Sequence, residues 1–247
     1  MDLVVSGVAK VYDGRDGEPR FALELPSFTF GIPSVVFLMG HNGAGKSVLL
    51  RLLAGEERPS NSSVRFVLGA HEWSPDEKSS PIVRQNVDQS LALDLSVREN
   101  LALHMRIRTL KAMSRPITVL RSQIEELVAG HAELQKKLDQ PCRYLSGGQK
   151  QALAFLAVSA QNLPLLLLDE FLAATDQTTS ALLRVFVKEY ARKTPACVLI
   201  ASHDVKLALD QGDRILALNA GRLVKDIQRD SVEWNESSLR EILGRPL

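Results

Sequence analysis

The chain has 247 residues, 45% of them hydrophobic, and sets 30 Lys+Arg against 29 Asp+Glu for a net charge of +1. That much apolar material can bury a full core, as one large α/β domain or two small ones. The balanced charge excludes a broadly basic nucleic-acid surface and leaves room only for a local patch, so no nucleic-acid partner is expected. Two cysteines, Cys142 and Cys197, fit neither a metal spacing nor a disulfide framework, which points to a reducing cytosol. Acidic Asp2 and a short apolar run argue against a signal peptide. The most apolar stretch, residues 152–168, is interrupted by Ser159, Gln161, Asn162 and Pro164 and cannot span a bilayer, so a soluble chain is expected.

In chain order, residues 3–5 and 8–12 read as strand, ended by a turn over 13–17. Residues 21–25 alternate like a second strand and 28–30 like a third, closed by Gly31 and Pro33. Two-residue periodicity predicts a small antiparallel sheet ahead of the next strand. Tyr12, at a strand end, either packs as core or offers a ring face to a nucleobase.

The apolar run 35–39 leads into Gly40–Ser47, GHNGAGKS, which fits G-x-x-x-x-G-K-[ST], and residues 48–54 follow as a good helix former that stops at Gly55. Strand, glycine loop and helix stand in the order a phosphate-binding loop needs. Gly40, Gly43 and Gly45 let the backbone turn tightly and approach a polyphosphate, and the bare N–H groups of the helix start attract the anion. His41, Asn42, Ala44 and Val48 complete the candidate nucleotide contacts. Lys46 would reach the β- and γ-phosphates, and the Ser47 hydroxyl would ligate Mg²⁺. The chain is expected to bind a nucleoside triphosphate.

Beyond the helix come a loop over 58–63, a strand over 64–68, a polar connection over 73–81, and Ile82-Val83 leading to Gln85 and Gln89. Residues 97–140 turn helical: Ser96 and Glu99 make a capping box, and Pro116 opens a second helix running through Ile124, Leu127 and Val128 to Leu134 and Leu138. Helical periodicity without a strand predicts a subdomain inserted between strands of an α/β core.

Ser146, Gly147, Gly148 and Gln149 open the next helix, either as a plain capped start or as a second anion site. Residues 165–168 are all leucine and end in Asp169 and Glu170, as a buried parallel strand presenting its carboxyl end does. There Asp169 can hold Mg²⁺ and Glu170 can take a proton from attacking water. A helix over 178–192, a buried strand over 196–201, a hairpin turning at 219–221 and a helix over 237–243 complete the chain. His203 follows the 196–201 strand and is either a structural residue or a contact to the γ-phosphate.

GHNGAGKS, a glutamine near residue 85, LSGGQ, LLLLDE, an aspartate after AAT and SHD, in this order over nearly the whole chain, resemble the ATP-binding subunit of an ABC transporter. The resemblance implies a P-loop NTPase core with a mostly parallel sheet (35–85 and 150–247), an antiparallel β-subdomain (1–34) and a helical subdomain (86–149) in one domain spanning 1–247. It implies ATP and Mg²⁺ as cofactors. Tyr12 matches the adenine-stacking aromatic, Asp169 the Mg²⁺ aspartate, Glu170 the catalytic base and His203 the switch histidine. Asp176 matches the aspartate at the dimer interface, and residues 146–149 match the segment that covers ATP on the other subunit. Gln85 matches the glutamine that senses Mg²⁺ and the membrane partner, with Gln89 as its competitor. The pattern departs at Phe171, where proline is usual, at Thr175 for leucine, and at Val48 for threonine. Implied partners are a second copy, transmembrane permease subunits and, for an importer, a solute-binding protein, with the chain peripheral on the cytoplasmic face of the inner membrane. The spacing from Gln85 to Val97 resembles bacterial importers of small organic solutes, some linked to aromatic amino acids. The alternative is a non-transport member of the superfamily, acting on cofactor assembly, ribosomes or nucleic acid.

Overall fold

The computed structural model describes residues 2–13, 18–60, 66–68, 71–73, 81–84, 86–107, 120–171 and 177–244. Strands β1 (Asp2–Val5), β2 (Val8–Asp13), β3 (Pro19–Leu25), β4 (Phe28–Gly31) and β5 (Ser34–Met39) precede helix α1 (Lys46–Leu53). Strands β6 (Phe66–Leu68), β7 (His71–Trp73) and β8 (Ile82–Val83) follow, and then the helices α2 (Val97–Ile107), α3 (Arg121–Leu127), α4 (Ala132–Gln135) and α5 (Gly147–Ser159). The chain continues through β9 (Leu165–Asp169), α6 (Gln177–Lys193), β10 (Cys197–Ser202), α7 (Val205–Gln211), β11 (Arg214–Asn219), β12 (Arg222–Gln228) and α8 (Glu236–Gly244).

The main sheet runs β2-β3-β12-β11-β5-β10-β9-β8, with β11, β5, β10, β9 and β8 parallel throughout. Its central strands read as unbroken apolar runs because both faces are covered. Val35, Phe37, Leu166, Leu168, Val198 and Ile200 enter one core together with α5 and α6. Val36, Leu38, Leu165, Leu167, Leu199 and Ala201 enter the other, with Leu49, Leu50 and Leu53 of α1. Parallel register sets Ser202 beside Met39 and Ala201 beside Asp169, so the carboxyl ends of β5, β10 and β9 stand level.

The antiparallel strands at the N-terminus fall in two sheets rather than the single small one that alternation predicts. β2 and β3 form a hairpin that joins the main sheet where Glu24 pairs with Arg222. β1 and β4 pair with each other, and β1 with β6 and β6 with β7, in a separate four-stranded sheet. Leu23 and Leu25 of β3 and Phe28 and Phe30 of β4 all point into one core, which the strands enclose from different sides. Alternation specifies an inward face and leaves the pairing partner open. Strand β7 was not expected, and only its last residue, Trp73, falls within the polar connection read over 73–81; residues 74–80, 64 and 65 lie outside the described residues.

Among its described residues the inserted region is helical, and the Ser96–Glu99 capping box is formed: Ser96 N donates to Glu99 Oε2 at 2.8 Å and Glu99 N to Ser96 Oγ at 3.2 Å. The continuous helix expected from Pro116 to Leu138 is instead two short ones, α3 and α4, separated by a turn at Ala129-Gly130. His131 leaves that turn to stack on Phe186 of α6, with ring centroids 4.1 Å apart. Pro116 lies outside the described residues. Among the described residues no helix is long and apolar enough to cross a membrane.

Candidate functional site

The level carboxyl ends of the parallel strands open onto a cavity of about 1100 Å³, lined by Tyr12, Asp13, Phe21, Ala22, residues 42–48, Glu170 and Ala220. The phosphate loop forms its floor because α1 begins directly after β5. Two of its glycines are demanded by their neighbours. A Cβ on Gly40 would stand 2.4 Å from the Leu218 carbonyl oxygen, and Gly45, the α1 N-cap with φ 99°, would drive one to 2.8 Å from Leu23 Cδ1. The loop therefore sits tightly between β3 and the β11–β12 turn, where Gly221 N donates to Ala44 O at 3.1 Å.

Lys46 is almost fully buried, and its ammonium donates to Gly40 O at 2.7 Å and His41 O at 3.1 Å. Burial lowers its pKa, while Glu170 and Asp169 nearby pull it back up. An ammonium held against loop carbonyls is poised to exchange them for an anion, which supplies charge as well as acceptors. Next to it, the Ser47 hydroxyl lies 3.4 Å from Asp169 Oδ1. Burial raises the Asp169 carboxyl above its ordinary range, the Ser47 hydrogen bond opposes this, and Glu170 adds to the rise. A hydroxyl and a desolvated carboxylate side by side are hard oxygen donors of the kind Mg²⁺ takes, alongside phosphate oxygens and water.

Glu170 ends the β9 segment with φ 48°, an uncommon backbone state for a residue with a side chain. Its N–H donates to Ala201 O at 3.0 Å, which fixes the turn against β10. The carboxylate faces the cavity, and Glu170 Oε1 is 3.7 Å from Nδ1 of His203, just beyond β10. A smaller cavity bounded by Gly40, His41, Asn42, Glu170 and His203 extends the space on that side. A carboxylate and an imidazole meeting at the end of a phosphate loop can accept a proton and contact a terminal phosphate. Phe171, the residue in place of the usual proline, is fully buried against Phe155, with centroids 6.1 Å apart, and its carbonyl accepts from Gln151 Nε2 at 3.3 Å. The departure is absorbed as core.

The structure thus gathers Tyr12, the phosphate loop, Val48, Asp169, Glu170 and His203 around one site. Ser146, Gly147, Gly148 and Gln149 do not line the cavity. They form the N-terminus of α5, where Ser146 Oγ accepts from Gln149 N at 3.3 Å and Gln149 Oε1 from Ser146 N at 3.2 Å. Gln85 and Asp176 lie outside the described residues. Sequence reasoning missed Phe21, which is 43% exposed and lines the cavity, and Ala22 and Ala220 beside it. Within an alternating strand nothing marked Phe21 as anything but a packing residue. It also missed the bond from Tyr12 Oη to Glu57, which joins residues 45 apart in the chain.

The family model described as ABC transporter matches residues 23–173, more than half of the chain. A tyrosine transport ATP-binding protein from Clostridioides difficile is 31% identical, over 98% of each chain. A sulfate/thiosulfate import ATP-binding protein from Agrobacterium fabrum is 30% identical over 90% of this chain, and an sn-glycerol-3-phosphate import ATP-binding protein from Paracoccus denitrificans 31% over 89%. This chain spans 62% and 59% of the lengths of those two proteins. Among solved structures, a dimeric ATP-binding cassette in a post-hydrolysis state with ADP and Pi shares the fold at TM-score 0.76 and 22% identity, covering 93% of this chain and 99% of that one. A nucleotide-free cassette from an ABC transporter does so at TM-score 0.74 and 21% identity, covering 100% and 96%. The chain belongs to the ABC transporter family, as an ATP-binding and ATP-hydrolysing member of it.

Proposed function

We propose that this chain is the ATPase subunit of an importer of small organic solutes, acting as one half of a head-to-tail pair that drives a separate transmembrane permease. The observation that carries the reading is that Lys46, Ser47 and Glu170 line one cavity at the ends of adjacent parallel strands, with Asp169 3.4 Å from the Ser47 hydroxyl and His203 beside Glu170 on an adjoining cavity. In this reading ATP lays its adenine on Tyr12 and its phosphates on the N–H groups of Gly43 to Ser47, and Lys46 leaves the carbonyls of Gly40 and His41 for the β- and γ-phosphates. Ser47 and Asp169 would hold Mg²⁺, with Gln85, and that ion supplies neutralisation of the charge developing on the phosphates. Glu170 takes the proton of the attacking water, and His203 contacts the γ-phosphate.

Residues 146–149 form the N-terminus of α5 and do not line their own cavity, which supports their use on ATP held by a second copy, with Asp176 at the interface. Closing two chains around two ATP molecules and reopening after hydrolysis makes a two-state clamp able to move a docked permease. The import direction draws support from the likeness to the two import proteins, and a small organic solute from the near full-length likeness to a tyrosine transport protein. A solute-binding protein is then a further partner, and the cytoplasmic face of the membrane the place of work.

The test is affinity capture of Glu170→Gln with ATP from detergent-solubilised membranes. Recovery of a multi-span membrane protein is expected, and its identity narrows the solute. Recovery of soluble partners or ribosomes alone would overturn the transport reading.

A further inference from the structure

Strand β2 is the edge of the main sheet: β3 pairs one side of it, with Tyr12 opposite Arg20, and a neighbour on its free side must come from outside the sheet. It comes from the loop after α1. Ser60 N donates to Ala9 O at 2.8 Å, Val11 N to Ser60 Oγ at 3.0 Å, and Lys10 Nζ to Arg58 O at 2.8 Å. Within this seam the Tyr12 hydroxyl donates to Glu57 Oε2 at 2.5 Å, and Arg51 Nε donates to the other oxygen, Oε1, at 2.5 Å. The Lys10 ammonium lies 3.8 Å from Glu57 Oε2 and 5.0 Å from the centroid of the Tyr12 ring. The ring is thus pinned at its hydroxyl by a carboxylate with a cation beside it, and it still lines the nucleotide cavity.

We propose that Glu57 is a positioning residue for the nucleobase: it fixes the Tyr12 ring as a preset platform and so sets how much of the affinity for ATP comes from the base. The inference rests on the reading that adenine stacks on Tyr12. Arg51 gives the tether its geometric meaning. It belongs to α1, the helix whose N-terminus receives the phosphates, so platform and phosphate cradle are referred to one rigid element. Burial works to raise the Glu57 carboxyl, but the bonds from Tyr12 and Arg51 outweigh it and hold the group below the usual carboxylate range. Burial and the bond to Glu57 raise the Tyr12 hydroxyl, which stays a donor. A charge-assisted bond of this kind is stronger than a neutral one. Without it, a two-torsion aromatic side chain must be ordered each time a base arrives, which weakens binding by about 3–10-fold.

The experiment measures ATP hydrolysis by the full chain for Tyr12→Ala, Tyr12→Phe, Glu57→Ala, Glu57→Gln and the Tyr12→Phe/Glu57→Ala double variant. Inorganic tripolyphosphate, which carries phosphates and no base, serves as a competitor. Tyr12→Phe and Glu57→Ala are each expected to raise KM for ATP about 3–10-fold, with the change in KM rather than in kcat. The double variant should be no worse than either single one, and Glu57→Gln, which keeps an acceptor, should recover part of the loss. The inhibition constant for tripolyphosphate should not move. Tyr12→Ala should lose about 5–150-fold, the scale of a base–aromatic stack.

If Tyr12→Ala behaves as wild type, the stacking reading fails and the tether with it. If Tyr12→Ala is impaired and Tyr12→Phe is not, stacking stands and the tether is overturned. If tripolyphosphate binding weakens in step with ATP, Glu57 acts on the phosphate loop through Arg51 and the proposal is overturned. Should Glu57→Ala not fold, Tyr12→Phe alone decides, because it removes only the hydroxyl.

Discussion

Asp169 sets stability against activity. Its carboxyl lies above the ordinary range chiefly because burial disfavours the anion. As pH rises, the unfolded chain therefore loses this proton before the folded one does. The stability it confers is complete below the unfolded pKa and is lost as pH rises through the folded value, so at neutral pH the folded protein carries the cost. Asp169→Asn should raise Tm by a few degrees at neutral pH, since about 1 kcal/mol moves a domain of this size by about 2–4 °C. The gain should vanish in acid, where both states are protonated, and turnover should fall about 100-fold or more. Thermal melts at two pH values with a phosphate-release assay check all three. Residues of this kind were legible in the sequence because phosphate chemistry constrains them together: Lys46 and Ser47 must follow the glycines, and Asp169 and Glu170 must end an apolar strand. Glu57 was not, because its meaning comes from Tyr12 and Arg51, which meet it only in three dimensions.

One link between elements joins the segment after Gln85 to the entry of α5. Asn100 of α2 is fully buried; its Oδ1 accepts from Ala92 N at 2.9 Å, and its Nδ2 donates to Ala92 O and Ser96 O at 3.0 Å and reaches Cys142 Sγ at 3.1 Å. Around it Val97 N donates to Gln140 O, Arg98 N to Leu138 O, Cys142 N to Leu95 O and Arg143 N to Leu93 O. Lys150, directly after Gln149, lies 2.9 Å from Asp88. These bonds make residues 92–98 and 138–143 one ladder-like unit. Asn100→Leu keeps the branching at Cγ but removes every side-chain hydrogen bond and orphans buried backbone groups, and should cost about 1–3 kcal/mol. A lower urea midpoint with unchanged slope is the expected result. The start of α2 was legible from Ser96 and Glu99, since a capping box is local. The break at Gly130 was not, because His131 leaves the helix for a ring on α6 that sequence spacing does not bring near.

For the molecule as a whole, the order of motifs revealed an α/β fold and one nucleotide site, since each motif needs a strand end or a helix start to work. Sheet assignment was hidden: the inward residues of β3 and β4 enter one core, yet the strands pair into two different sheets. Residues 146–149 do not line the cavity of their own chain. In the proposed pairing, one chain would carry the phosphate loop of one site and the helix N-terminus of another, so two chains would make each complete site. The decisive measurement is the molar mass of purified Glu170→Gln by light scattering, with and without ATP and Mg²⁺. Two chains closing around ATP that they cannot hydrolyse should double the mass only when nucleotide is present. A monomer at saturating ATP, with turnover still at the wild-type rate, would contradict both the shared site and the role of Glu170.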